Sequence, residues 1–401
     1  MNSNNLYINK KLLYQLNQKQ EEIGEYLLNC DLDYTNDVGI MSGLAGVGLT
    51  LSLYYRNTSD ERFLDKLEQT IELINKKIKA GNDIVSSYAH GIAGYAWLII
   101  YLKENNIIEV DLNDYFFEMD DFLYCQLMLM LEAKQYDSLH KAIGIGYYFL
   151  KRGKNEVIEQ IINELYNNRK TINGYATWTR YDQKNYKDVI DLGFAHGIPG
   201  KLFFLFKCYL KQISTKKCGE MIRENVAFII SFMNLSGTPS YLPYNIEIDQ
   251  IKKFNSKSNW SRLAWCYGDL SALYVLQLLP SFLPAQLNVN DMLEHVAERR
   301  DAAATDANIT GICHGSSGVA HIFFRMFLKT GNHCFEEACH YWLKKTLSLG
   351  NEPTGIIGHV FPENYNSQPL DLLIGISGIS TVILSFLNPD LISWDESIFL
   401  S

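Results

Sequence analysis

The sequence predicts an all-α protein, an α/α toroid of about seven helical hairpins in two concentric layers. Three observations carry that expectation. A short small-residue signature recurs along the whole chain, two kinds of helix alternate between its copies, and proline is scarce (9 of 401 residues) with no sustained strand-like alternation.

The signatures read GLAG at Gly43, GIAG at Gly91, KAIG at Lys141, GIPG at Gly197, GDLS at Gly268, GSSG at Gly315 and GISG at Gly375, at intervals of 48, 50, 56, 71, 47 and 60 residues. A period near fifty suits one helical hairpin per copy. Between them, residues 60–78 put Phe63, Leu67, Ile71, Ile74 and Ile78 on one stripe with charges elsewhere, a half-exposed helix. Residues 92–102, IAGYAWLIIYL, are apolar all round, which calls for burial on every side. Exposed helices alternating with fully buried ones describe an outer and an inner layer. Seven pairs close into a ring, a single domain over 1–401, and the signatures open the inner helices. The helix N-termini then turn partial positive charge toward one end of the barrel. The longest interval contains residues 236–260, a loop-like stretch with a short strand. It reads either as a flap beside the barrel mouth or as a long surface connection.

Composition narrows the function. Apolar residues make up 47 %, and a net charge of −9 with pI about 5.5 supplies no basic face for nucleic acid. The first twenty residues lack the apolar core of a signal peptide, so a cytoplasmic setting is expected. Eight cysteines are too sparse for a disulfide framework. Residues 372–389 carry no charge over eighteen positions, but their glycines and hydroxyl residues fit a buried core helix better than a membrane span.

Polar residues gather at or just before the signatures: His196 in GFAHGIPG, Arg262, Cys266 and Tyr267 in SRLAWCYGD, Cys313 and His314 in GICHGSSG. In a closed barrel, equivalent positions of successive repeats face one cavity, so Cys266, Cys313 and His314 would converge. Two thiolates and an imidazole make three ligands for Zn²⁺ with one position left open. The ordinary reading, buried thiols and a satisfied core histidine, stands beside it. A second set, His333, Cys334, Cys339 and His340, falls on an amphipathic outer helix, where neighbours diverge by about 100° and cannot converge on one ion. His90, in YAHGIAG, mimics His196, but no acid partner is evident, and it reads as structural.

GFAHGIPG, WCYGD and CHGSSG, in this order and register, resemble the lanthionine synthetase C-like family, from about Gly39 to Phe386. The resemblance implies an α/α toroid with zinc bound by Cys266, Cys313 and His314, and a chain of the stand-alone cyclase type. It also implies acid–base roles for His196 and Asp137 (in YDSLHKAIGIGYYFL) and supporting roles for Arg262 and Tyr267. Lys141 stands where the family has glycine. The implied reaction adds a cysteine thiol of a dehydrated precursor peptide to dehydroalanine or dehydrobutyrine, forming a thioether ring. A separate dehydratase and a transporter are the implied partners, and any membrane association would arise through them. A thiol of pKa about 8.5 is roughly 3 % ionised at pH 7, so full ionisation gains only ~2 kcal/mol. Orientation is worth more, on the order of 7–11 kcal/mol in favourable cases.

Other readings are addition of glutathione or another small thiol, and a non-catalytic peptide-binding toroid. A glycosidase would need two facing carboxylates, for which Asp137 and Asp269 are the candidates at the signatures. A zinc prenyltransferase subunit would need an aromatic funnel, and the aromatics are scattered.

Overall fold

Apolar periodicity decides which helices lie inside. The computed structural model describes residues 10–81, 84–182, 186–353, 355–361 and 369–401, so 1–9 of the N-terminal stretch lie outside it. Numbering the α-helices of nine residues or more in chain order gives α1 (Lys10–Asn29), α2 (Leu44–Thr58), α3 (Glu61–Ala80), α4 (Ile92–Glu104), α5 (Phe117–Glu132), α6 (Ala142–Lys151) and α7 (Asn155–Asn167). The second half comprises α8 (Ile198–Leu210), α9 (Thr215–Ser231), α10 (Asp269–Gln277), α11 (Val289–Glu298), α12 (Ser316–Thr330), α13 (His333–Leu349) and α14 (Ile376–Leu387). Even-numbered helices are the inner layer. Each touches the next, and α14 touches α2, which closes the ring. Odd-numbered helices pack outside them.

The two layers follow from side-chain chemistry. Every residue from Ile92 to Leu102 on α4 is buried, as an all-apolar helix requires. On α3 only Phe63, Leu67, Thr70 and Ile74 are buried, one stripe against the inner layer. Each large apolar side chain on that stripe contributes about 1.5–3 kcal/mol of burial. Asp60 caps α3 by accepting the Arg62 backbone N–H, and Gly81 ends it in the left-handed region. The apolar stretch after Leu372 becomes α14, twelve residues long and buried between α2 and α12. No helix among the described residues is long and apolar enough to cross a membrane.

The signatures serve close packing. A Cβ on Gly94 would lie 2.0 Å from the Tyr88 carbonyl oxygen, and one on Gly318 would lie 1.9 Å from that of Ile312. Lys141 replaces glycine without strain, because its backbone (φ −132°) matches that of Gly91 (φ −126°).

Residues two positions before each signature form a belt of backbone hydrogen bonds around the barrel. Met41 N–H donates to Ala89 O (3.1 Å) and Ala89 N–H to Leu139 O (3.0 Å). Ala195 N–H donates to Cys266 O (3.1 Å), Cys266 to Cys313 (3.0 Å), Cys313 to Leu373 (2.8 Å), and Leu373 back to Met41 (2.9 Å). At the remaining joint Leu139 N–H turns instead to Asp137 Oδ1 (2.9 Å), and side chains bridge the gap.

Short strands elaborate the all-α prediction. β1 (Lys170–Ile172) and β2 (Tyr175–Thr177) form one hairpin, while β3 (Arg180–Asp182), β4 (Lys187–Asp191) and β5 (Asn245–Glu247) form an antiparallel sheet with β4 central. Three-residue strands are too short to show alternation, which is why periodicity does not reveal them. β5 lies in the 236–260 stretch, where a strand was expected, and pairs Ile246 with Ile190. The rest of that stretch holds two 3₁₀ turns, Ile248–Lys253 and Ser256–Ser258.

Candidate functional site

The belt brings the thiols together. Cys266 and Cys313 occupy adjacent belt positions, and both Trp265 and Cys266 N–H donate to Cys313 O. Their sulfurs and one His314 ring nitrogen lie within 4.8 Å of one another. Cys266 is buried, and Cys313 and His314 are partly buried. The hydrogen bond from the Cys313 thiol holds Cys266 below the ordinary cysteine range, reinforced by His314, while the same contact and burial push Cys313 up. Soft sulfur donors with one imidazole are the donor set that suits a divalent zinc ion.

Beside them His196 Nδ1 meets Asp137 Oδ2 at 2.6 Å. Asp137 Oδ1 accepts the backbone N–H groups of Leu139 (2.9 Å) and His140 (2.8 Å). The carboxylate thus replaces the missing belt bond and fixes the imidazole at once. Burial works against both charges, but the mutual hydrogen bond outweighs it, holding Asp137 well below the carboxylate range and raising His196. Behind His196, the buried Lys201 ammonium donates to the carbonyls of His196 (3.2 Å) and Gly197 (3.3 Å). Burial lowers the Lys201 pKa.

Arg262 and Tyr267 flank Cys266 in the chain, and both are tied to carboxylates. Arg262 pairs with Asp306 (2.5 Å), and its Nε donates to Tyr244 Oη (3.0 Å). Tyr267 donates to Asp191 Oδ2 (3.0 Å), which also accepts from Arg180 Nε (2.9 Å). Burial, then the Asp191 charge, raises the Tyr267 pKa, keeping the phenol protonated. Sequence reasoning missed Asp191, which β4 delivers into the wall. Its signal was positional: Asp191 and Asp37 both stand six residues before a signature glycine.

A cavity of about 450 Å³ opens beside the two thiols and His196, lined by Cys266, Cys313, His196, His140, His90 and Asp371 among others. His140, rather than Lys141, faces it. His90 needs correction, because it does have an acid partner: Asp37 Oδ2 lies 3.1 Å from its Nδ1. The partner is fifty-three residues away in the chain, so the residues around His90 carry no hint of it. Asp371 accepts from Ile374 and Gly375 N–H, and burial pushes it up to about 6. Asp269 is fully buried and bound to Arg299 (2.8 Å), so the facing carboxylate pair of a glycosidase does not form. His333 is exposed and pairs with Glu336 while Cys339 is buried, so the HC-x4-CH set diverges as expected. Among the described residues, three or more such side chains converge at two places, the thiol cluster and Asp137–His140–His196.

The fold and site define a class: a closed ring of seven helix pairs with a thiol–imidazole cluster and an Asp–His pair at the inner-helix N-termini. The chain belongs to the lanthionine synthetase C-like protein family, whose family model matches residues 14–399. It is 24 % identical over 357 residues to the nisin biosynthesis protein NisC of Lactococcus lactis subsp. lactis, covering 82 % of each chain. A solved structure described as nisin cyclase superposes with a TM-score of 0.73 at 20 % identity over 98 % of both chains, a likeness in fold.

Proposed function

We propose that this protein is a zinc-dependent lanthipeptide cyclase that joins cysteine thiols of a dehydrated precursor peptide to dehydroalanine or dehydrobutyrine. The observation that carries the reading is that Cys266 and Cys313, clustered with His314, line one cavity with His196, the partner of Asp137. Family membership and the NisC relative support it. Cys266, Cys313 and His314 would hold the ion. When bound, zinc supplies a low pKa to a substrate thiol, keeping it a nucleophilic thiolate near neutral pH.

The remaining work falls to the chain's own side chains. Bonding to Asp137 keeps the His196 proton on Nδ1 and leaves Nε2 as the exchangeable position. His196 is therefore the group that takes the thiol proton or delivers one to the α-carbon. The sulfur–β-carbon bond forms as the alkene π pair moves onto the α-carbon and its carbonyl. One proton leaves sulfur, one arrives at carbon, and no electrons are exchanged with the surroundings. Asp137 positions the ring. Arg262, held by Asp306, presents a cation beside the thiols for the developing enolate, while Tyr267 donates its single O–H proton to Asp191 and supports the wall next to Cys266. The inner-helix N-termini add to the same positive field.

The 236–260 stretch packs against Arg262. Tyr244, one residue before β5, accepts from Arg262, and its carbonyl accepts from Leu192 N–H. We take residues 1–401 as one catalytic domain, cytoplasmic in setting, with a dehydratase and a transporter as its partners. The test is zinc analysis of the purified protein together with ring closure on a dehydrated peptide, scored by mass after thiol alkylation. Stoichiometric zinc and loss of alkylatable thiols are expected. Protein without zinc, or a Cys313→Ala variant that closes rings at full rate, would overturn the reading.

A further inference from the structure

Three imidazoles stand side by side on one wall of the cavity. His90 stacks on His140 at 5.2 Å between ring centroids and His140 on His196 at 5.6 Å, each pair 22° from parallel. All three occupy the position just before the signature in successive repeats, the position His314 holds in the sixth. There the imidazole meets two thiols. In the third and fourth repeats it meets a carboxylate.

Donor atoms of Asp137, His140 and His196 lie within 4.8 Å of one another, the same span as the thiol cluster. The cyclase reaction has no task for the His140 ring. Its backbone N–H is pinned to Asp137 Oδ1, so ring and carboxylate cannot drift apart. Donors around a tetrahedral ion with ~2.1 Å bonds are about 3.4 Å apart, so closure needs about 1.4 Å at most, within reach of side-chain rotation. We propose that Asp137, His140 and His196 form a second divalent-cation site, and that filling it removes the Asp137–His196 pair from proton transfer.

The donor chemistry suits the assignment. Two imidazoles and one carboxylate bind Zn²⁺, Co²⁺, Ni²⁺ or Fe²⁺. The ion takes the place of the proton that joins Asp137 to His196. Thiolates bind these ions more tightly, so the second site fills only after the first. The metal site rests on geometry alone, whereas its effect on ring closure rests on the cyclase reading.

Cobalt separates the two sites, because only the thiol cluster gives an intense thiolate-to-metal charge-transfer band. The experiment titrates chelator-stripped protein anaerobically with Co²⁺, following absorbance and bound metal by equilibrium dialysis. A first equivalent that saturates the charge-transfer band and a second that binds without extending it are expected. His140→Asn should bind one equivalent with the full band, which also reports an intact fold. Cys313→Ala should retain one equivalent without the band. Excess metal should inhibit wild-type ring closure and inhibit His140→Asn much less. Binding that stops at one equivalent in the wild type, or an unchanged second equivalent in His140→Asn, overturns the proposal and leaves the cyclase reading standing. Two equivalents with no ring closure overturn the cyclase reading alone.

Discussion

Replacing Asp137 by asparagine isolates what its charge contributes. The amide oxygen can still accept from Leu139 and His140 N–H, so the local turn survives. Its NH₂ group then faces His196 Nδ1, which has to surrender its proton to Nε2 and with it the ring's acceptor role. A hydrogen bond to a charged group is worth about 1.5–3 kcal/mol. At about 1.4 kcal/mol per decade, ring closure should slow by about 10- to 150-fold, with zinc content unchanged. The pH dependence gives an independent check. In the wild type burial lowers the His196 pKa but Asp137 more than offsets it, so removing the charge leaves burial opposed only by the smaller pulls of Asp191 and Cys266 and moves the His196 limb of the pH–rate profile toward acid. Stability follows the same pair. The raised His196 stabilises fully below its unfolded value of about 6.5, and that contribution is lost as pH rises through the folded pKa. The depressed Asp137 stabilises above about 3.9, and its contribution is lost only as pH falls through its folded pKa. The wild-type advantage over Asp137→Asn in urea should therefore be largest between about pH 4 and 6.5 and narrow at alkaline pH. A variant with full rate and an unmoved limb, or an advantage that widens above neutrality, refutes the reasoning.

Other perturbations act on separate parts. Cys313→Ala keeps the backbone N–H and carbonyl that hold the belt, so circular dichroism should be native while ring closure is lost. Asp191→Asn should cost about 1–3 kcal/mol in urea unfolding, because three donors (Tyr267, Arg180 and Gly193) lose a buried anionic acceptor. Gly94→Ala drives a Cβ into the Tyr88 carbonyl and should destabilise by about 1–3 kcal/mol, whereas Lys141→Gly, at an ordinary φ, should cost no more than about 1 kcal/mol.

The signatures made the architecture legible because they mark where one inner helix must approach its neighbours closely. An all-apolar run such as residues 92–102 then assigns the layer. The thiol cluster could be anticipated from register alone, since Cys266 and Cys313 hold the same place before their signatures. Asp137 and Asp371 share another register position, four residues before a signature, and Asp37 and Asp191 a third. Recognising those two classes would have placed Asp37 against His90 and Asp191 at the wall. The β1–β2 hairpin had a local sign that periodicity passes over, Asn173–Gly174, both in the left-handed region. The Arg180–Asp191 pair remained hidden because β4 is held as the central strand by β5, far along the chain, through Ile190 and Ile246.

The hydrogen bond from Leu373 to the Met41 carbonyl ties the last repeat to the first, and Cys313 leans on that same Leu373. During synthesis, then, neither thiol can take up its final geometry until almost the whole polypeptide has left the ribosome. On the proposed reading, metal capture would be a late event, open only to chains in which the two ends of the ring have met, and truncated products would lack the assembled thiol cluster.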